Sequence, residues 1–225
     1  MGIIIAIDGP AAAGKGTLGR GLALDLGLAL LDTGKLYRAV AFAVMERGID
    51  PSDVPACSAV AEELEPGWLD RGGLGGETVG QVASKVSAIP GVRAALFDFQ
   101  RRFATEPRPG THGAILDGRD IGTVVCPDAT LKIFLIADLE SRAKRRYAEA
   151  VEGGGHADLA EITASIRARD EREATRAAAP MRVADDAVVI DTSCLTPSEV
   201  LEQAVGALAS RLGSTHGPAV AARTR

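Results

Sequence analysis

The sequence predicts a three-layer α/β fold, in which helices cover both faces of a central parallel β-sheet. Short apolar runs rich in β-branched residues alternate along the chain with longer segments of helical periodicity. Strands that are buried on both faces have this composition, because neither face needs polar side chains. Right-handed crossovers between consecutive parallel strands would place the intervening helices on the two faces of the sheet.

Apolar runs of four to six residues predict the strands, and periodic segments between them predict the helices. The predicted strands span residues 3–8, 28–31, 113–116, 131–135 and 187–190. The predicted helices span residues 18–26, 35–47, 51–64, 78–88, 92–104, 139–151, 159–176 and 197–212. Thr33 is the expected N-cap of the second helix. Gly153, Gly154 and Gly155 end the sixth helix.

Two segments have the composition of loops. Residues 65–76 are rich in glycine and contain Trp68, which we expect to anchor this loop on the core rather than to form a stacking platform. Residues 213–225 lack periodicity, which predicts a disordered tail.

The turn between the first strand and the first helix has the composition of a phosphate-binding loop. Glycines let the backbone wrap with its N–H groups inward, and the following helix N-terminus adds partial positive charge. Lys15 can reach the outer phosphates of a nucleotide, and the Thr17 hydroxyl can hold Mg²⁺. A surface turn of similar sequence is the alternative, but the flanking strand and helix favour triphosphate binding. The predicted ATP-binding residues of this loop are Gly9, Pro10, Ala11, Ala12, Ala13, Gly14, Lys15, Gly16 and Thr17.

Asp117 follows the strand at residues 113–116. In doubly wound sheets, ligands bind beyond the carboxyl ends of the strands. A carboxylate at this position could order Mg²⁺ or the water molecules around it. Asp117 is therefore a candidate metal residue together with Thr17.

Arginines dominate the basic residues, since only five of the 25 are lysines. The arginine fork suits phosphate oxygens. Arg142 and Arg146 are four residues apart and share a helix face, and Arg169, Glu173 and Arg176 form a stripe on the next helix. A solvated face of ion pairs is the alternative interpretation of this stripe.

Composition restricts the class of protein. The 225 residues fit one domain. The formal net charge of −5 argues against nucleic-acid binding. Three widely spaced cysteines without a metal-binding pattern indicate reduced thiols and a cytoplasmic protein. No apolar stretch approaches the length of a membrane span, so we expect no membrane partner.

Taken together, the motifs resemble those of bacterial cytidylate kinases, a family of P-loop nucleoside monophosphate kinases. The resemblance runs in order to about residue 210. Its most specific parts are the block Asp-Gly-Arg-Asp-x-Gly-Thr-Val-Val at residues 117–125 and the block Asp-Thr-Gly-x-x-Tyr-Arg at 32–38. The Gly-Phe-Pro-Arg segment of adenylate kinases is absent from the sequence.

The resemblance implies a P-loop fold with one kinase domain over residues 1–212, and the transfer of the ATP γ-phosphoryl group to CMP or dCMP with Mg²⁺. It implies a core at about residues 1–35, 111–140 and 186–212, a part that binds the nucleoside monophosphate (NMP) at 36–106, and a lid at 145–180. It also implies a cytoplasmic monomer whose partners are nucleotides.

The resemblance also assigns roles to individual residues. The contacts to the acceptor phosphate and its pocket fall on Thr33, Arg38 and Arg119, and Tyr37 belongs to the same substrate set. The contacts to cytosine fall on Ser84, Arg93 and Asp120, and those to the sugar fall on Arg169 and Glu173. Asp117 completes the substrate set. Arg176 resembles a clamp on the transferring group, together with Arg142, Arg145 and Arg146. The implied catalytic residues are Lys15, Arg119, Arg146 and Arg176, and Arg142 joins the ATP-binding set.

Three departures from the family pattern bear on substrate preference. Glu173 replaces a shorter Asp at the sugar position, Lys35 replaces a small residue, and only the loop at 66–76 remains of an insert of some tens of residues. Two alternatives stay open at this point. One is a UMP or adenylate kinase, and the other is a nucleotide-binding regulatory protein without catalysis.

Overall fold

The computed structural model describes residues 2–106, 108–152, 157–176 and 178–213. Five parallel strands form one sheet in the order β2-β3-β1-β4-β5. The strands are β1 (Ile3–Asp8), β2 (Ala29–Asp32), β3 (Gly113–Asp117), β4 (Leu131–Ile136) and β5 (Val188–Asp191). The predicted fold class is therefore confirmed, and each strand lies within a residue or two of its predicted run.

Eight α-helices connect or flank these strands within the described residues. They are α1 (Lys15–Leu26), α2 (Thr33–Glu46), α3 (Val54–Glu62), α4 (Glu77–Val86), α5 (Pro90–Thr105), α6 (Leu139–Glu152), α7 (Leu159–Thr175) and α8 (Pro197–Gly213). The first helix begins three residues earlier than predicted, because Gly14 takes a left-handed conformation (φ 95°) that turns the loop directly into the helix. None of these helices has the length and apolar character that crossing a bilayer requires.

The start of α2 corrects the predicted N-cap. The Asp32 side chain, not that of Thr33, accepts the capping hydrogen bond, from the backbone N–H of Lys35 at 3.3 Å. Thr33 is already helical, and its hydroxyl donates to the backbone carbonyl of Asp117 at 2.7 Å. The end of β2 is thereby tied to the end of β3, next to it in the sheet.

Apolar side chains form one core on each face of the sheet. Ile5 and Ile7 of β1 pack with Leu22 of α1 on one face, where α8 also contributes. Ala6 of β1 packs on the other face with the helices α2 to α5, including Val40. Burial of each such aliphatic side chain contributes about 1.5–3 kcal/mol. The alternation along β1 shows why the strand is apolar on both faces up to its last residue, Asp8.

The glycine-rich loop is anchored as expected. Residues Pro66–Asp70 form a short 3₁₀ helix, and Trp68 packs, partly buried, against the core formed with α2 to α5. The Arg71 guanidinium lies 3.7 Å from the centroid of the Trp68 ring. The predicted tail, apart from Gly213, lies outside the described residues, as do the three glycines after α6.

A single π-helical turn, Ile121–Val125, follows β3 and was not predicted. The buried carboxylate of Asp8, at the end of β1, accepts the N–H groups of Ile121 at 2.8 Å and Gly122 at 2.7 Å. Burial raises the pKa of Asp8 to about 6, against the opposing effect of these two hydrogen bonds. Asp8 thus holds the segment after β3 beside the phosphate loop.

We expect Asp8 to make the free energy of unfolding depend on pH. Between its unfolded pKa of 3.8 and its folded pKa of about 6, the folded chain keeps a proton that the unfolded chain has released. The free energy of unfolding therefore falls as pH rises from 4 to 6, by about 3 kcal/mol for a shift of this size. Asp8→Asn removes this titration. Urea unfolding should show that the free energy of unfolding of wild type, minus that of the variant, declines from pH 4 to 6. A difference that stays constant over this range would contradict the account.

Candidate active site

A cleft opens at the carboxyl ends of β2 and β3, where Thr33 and Gly118 follow the strands. Nine of the eleven predicted substrate-binding residues line it, and only Ser84 and Asp117 do not. The lining residues are Thr33, Gly34, Tyr37, Arg38, Ala83, Ser87, Arg93, Gly118, Arg119, Asp120, Arg169, Glu173 and Arg176. Segments that are up to 143 positions apart in sequence thus meet in one cleft.

One wall of the cleft is built around the Glu173 carboxylate. It accepts from Arg119 Nε at 2.5 Å and from Arg169 Nε at 2.7 Å, and its side chain is 4% exposed. Burial alone would raise the pKa of Glu173, but the charges of Arg119 and Arg169 outweigh this effect and lower it to about 2. Glu173 is therefore ionised at neutral pH and fixes both guanidinium groups.

A second buried carboxylate, Asp120, orders two further arginines of the cleft. It forms ion pairs with Arg93 and with Arg176, the latter at 3.3 Å. Arg176 also donates to the backbone carbonyl of Ala179 at 2.7 Å. The Arg93 guanidinium lies 5.8 Å from the centroid of the Tyr37 ring. Both arginines are thus held in place by protein groups.

The cleft carries positive charge in an acidic chain. Five arginines and two carboxylates line it, which leaves a formal excess of three positive charges, whereas the whole chain has a net charge of −5. Charge concentrated in a partly buried cleft attracts anions more strongly than the same charge on an open surface. The cleft therefore suits a ligand with phosphate groups.

Arg38 is held by the glycine-rich loop. Its Nη1 donates to the backbone carbonyls of Leu74 at 2.8 Å and Gly76 at 3.0 Å. Burial lowers the pKa of Arg38, and the neighbouring charge of Arg169 lowers it further. The loop that remains at 66–76 therefore takes part in shaping the cleft.

Ser84 lies behind the cleft wall rather than on its surface. Its buried hydroxyl accepts from Arg172 Nε at 3.3 Å, while Arg172 Nη2 donates to Gln81 Oε1 at 2.9 Å. Ser87, one turn further along, lines the cleft instead. The sequence analysis missed Ser87 and Arg172, although Arg172 lies beside the predicted arginine stripe.

The phosphate loop brings Lys15 to the end of β1. Its side chain is buried, and Nζ donates to the carbonyl of Pro10 at 2.9 Å. Burial lowers the pKa of Lys15 to about 7, with a further contribution from Arg119. Burial raises the pKa of Asp117 to about 7, and the nearby Asp32 carboxylate adds to this effect. The charges of Lys15 and Asp117 partly compensate each other, since Asp117 raises the pKa of Lys15 and Lys15 lowers that of Asp117, but burial is the larger effect on both groups.

The arginines predicted on α6 have protein partners in the structure. Arg142 pairs with both carboxylate oxygens of Asp170, at 3.1 Å and 2.6 Å, and Arg146 pairs with Glu77 and Glu149 at 3.2 Å and 3.1 Å. Neither lines the cleft. Among the described residues, no group of three or more His, Cys, Asp or Glu side chains is arranged to hold a metal ion.

Solved structures show the same fold. A protein of undefined function from Eubacterium ventriosum has a TM-score of 0.55 at 15% identity, with 92% of this chain and 99% of that chain covered. A sugar kinase from a Janibacter species has a TM-score of 0.50 at 15% identity, with 92% and 95% covered. At this identity the likeness concerns the fold alone.

Sequence relatives are much closer. The chain is 53% identical to a cytidylate kinase from Rhodospirillum rubrum, with 95% of this chain and all of the relative covered. It is 52% identical to one from Paramagnetospirillum magneticum, with 94% and 100% covered. The family model for cytidylate kinase matches residues 5–210. The chain therefore belongs to the cytidylate kinase family.

Proposed function

We propose that the chain transfers the γ-phosphoryl group of ATP to CMP or dCMP. The observation that carries this proposal is the arginine-lined cleft beside the phosphate loop, since two polyanions must meet there. Family membership supports ATP as the donor and a nucleotide as the acceptor. Arg93 and Asp120, which line the cleft and match two of the cytosine contacts implied by the family resemblance, support the choice of base. Ser84, the third residue of that set, stays a proposed contact, although it does not line the cleft.

Positioning and charge neutralisation would supply the catalysis. An acceptor phosphate oxygen is already anionic at neutral pH, so the reaction needs no general base. Lys15 and the N–H groups of the loop would hold the ATP phosphates. Arg38, Arg119 and Arg176 would hold the acceptor and the charge that develops on the transferring group.

A lid over the two nucleotides would exclude water. We place the lid at about residues 145–180, the NMP-binding part at about 36–106 and the core at about 1–35, 111–140 and 186–212. Arg146 is the candidate that the lid would bring to the phosphates, because its partners Glu77 and Glu149 are exposed carboxylates that an anion can replace. Closure of this kind suppresses hydrolysis of ATP.

The residues beside the loop fit Mg²⁺. Thr17 is exposed and its hydroxyl accepts from Arg20 Nη2 at 3.3 Å, and a Cβ added at Gly16 would lie 3.8 Å from the Asp117 carboxylate. Hydroxyl and carboxylate oxygens are the ligands that Mg²⁺ prefers, and it usually needs only one or two of them besides the phosphates and water. When bound, Mg²⁺ would neutralise charge on the ATP phosphates. The raised pKa of Asp117 also fits a carboxylate that is poised for a cation.

We further propose a cytoplasmic monomer that works without nucleic acid or membrane partners. The acidic net charge supports the proposed absence of a nucleic-acid partner. The three cysteines are free, with Cys57 and Cys126 buried, which fits a reducing compartment.

An acceptor panel tests the function directly. ADP release should be measured with ATP and Mg²⁺ against CMP, dCMP, UMP and AMP, with a control that lacks acceptor. We expect turnover with CMP that is far above both the control and AMP. Equal rates with UMP would remove the proposed base specificity, and no stimulation by any acceptor would favour a regulatory nucleotide-binding protein.

Lys15→Ala should reduce kcat with CMP by about a hundredfold or more, because the variant lacks the cation that meets the developing phosphate charge. The thermal unfolding midpoint should change little, because burial of a lysine is itself unfavourable. Lys144→Ala is the matched control, since Lys144 is 64% exposed and pairs only on the surface with Glu140. Activity of Lys15→Ala within about tenfold of wild type would contradict the role of Lys15.

A further inference from the structure

The backbone carbonyls of residues 10–14 in the phosphate loop are all hydrogen-bonded. Pro10 accepts from Lys15 Nζ, Ala11 from Arg142 at 3.4 Å, Ala12 from Arg145 at 3.5 Å, Ala13 from the Thr192 hydroxyl at 3.0 Å, and Gly14 from the Leu18 N–H at 3.0 Å. A loop whose carbonyls point to outer partners presents its N–H groups on the inner side. The outer partners therefore bear on the geometry of the anion site.

One residue of this loop has a backbone conformation that needs support. Ala12 has φ of 58°, in the left-handed region. A residue with a Cβ is disfavoured there, whereas glycine adopts the region freely. Such a conformation persists only where the surrounding contacts impose it.

Arg145 and Thr192 supply those contacts through a relay of hydrogen bonds, which runs from Arg145 to Thr192 and from both residues to the loop carbonyls. Arg145 Nη1 donates to the Thr192 hydroxyl at 3.0 Å, and its Nη2 donates to the Thr192 carbonyl. Thr192 is buried, and its N–H donates to the Ile136 carbonyl at 2.8 Å. The Thr192 hydroxyl lies within hydrogen-bond distance of two carbonyl oxygens, that of Ala13 at 3.0 Å and that of Ile136 at 3.2 Å, and the contact to the loop is the shorter of the two. Charge on Arg145 strengthens both hydrogen bonds of the relay.

We propose that Arg145 and Thr192 are positioning residues that hold Ala12 and Ala13 of the phosphate loop in the conformation that binds the donor triphosphate. This inference rests on the proposed function, since it presumes that the loop binds ATP. It gives Arg145 a different role from the phosphoryl clamp that the family resemblance implies. Arg145 acts through Thr192 and the loop backbone and does not touch the nucleotide.

A substitution at Ala12 distinguishes a positioning role of the relay from a role in general stability. Without the relay, alanine leaves the left-handed region, but glycine can keep it at no steric cost. Ala12→Gly should therefore restore the loop in a chain that lacks the relay, and Ala12→Gly alone is measured as the reference for that comparison. A purely structural role of Thr192 predicts no such rescue.

The experiment measures ATP binding without acceptor by titration calorimetry. Thr192→Val and Arg145→Met should each raise the Kd for ATP about tenfold, the effect of one charge-assisted hydrogen bond. Adding Ala12→Gly to either variant should return the Kd to within about threefold of wild type. The KM for CMP should stay within about twofold throughout. Arg47→Met is the control, because Arg47 pairs with Glu63 on the surface.

Three outcomes would overturn the inference. A Kd for ATP that stays within about twofold of wild type in both variants would show that the relay does not position the loop. If Thr192→Val and Arg145→Met lose the same ATP affinity whether or not Ala12→Gly is added, the relay has a structural role only. If Thr192→Val does not fold, Arg145→Met carries the test. A wild-type chain that binds no ATP would overturn the proposed function itself, and this inference with it.

Discussion

The cleft depends on the ion pairs of one buried carboxylate, that of Glu173. Its two partners come from different parts of the chain, since Arg119 follows β3 and Arg169 lies one turn away on α7. A buried charge is tolerated only when it is paired and hydrogen-bonded, and removing one partner of such a pair costs about 3–5 kcal/mol. Glu173 thus ties α7 to the end of the sheet and fixes the direction of two guanidinium groups.

Other buried carboxylates around the site also fix neighbouring groups through ion pairs or hydrogen bonds. Asp120 orders Arg93 and Arg176 of the cleft, and Asp8 holds the turn that follows Asp120. Groups that are fixed before the ligands arrive need no reorganisation when charge develops during phosphoryl transfer. The acidic residues of the cleft therefore contribute by holding its arginines, although they reduce its net positive charge.

Much of this arrangement could be predicted from the sequence, because it depends on local patterns. Apolar runs marked the strands, and the glycine loop with Lys15 marked the first crossover. The Thr33 cap was wrong because Asp32 and Thr33 are both suitable capping residues, and only the position of Asp117 decides between them. The π-helical turn was not predicted because its sequence has no periodicity that marks such a turn. The place of Ser84 behind the cleft wall depends on Arg172, which comes from an element 88 residues away.

The binding of CMP to Glu173→Gln, measured by titration calorimetry, tests the central claim most directly. Glutamine keeps the shape of the side chain and removes the charge that fixes Arg119 and Arg169. CMP should bind at least about tenfold more weakly, the effect of losing charge-assisted hydrogen bonds, while ATP binding stays as in wild type. Glu63→Gln, which loses only the surface pair with Arg47, should bind both nucleotides normally. CMP affinity of Glu173→Gln equal to or above that of wild type would contradict the account.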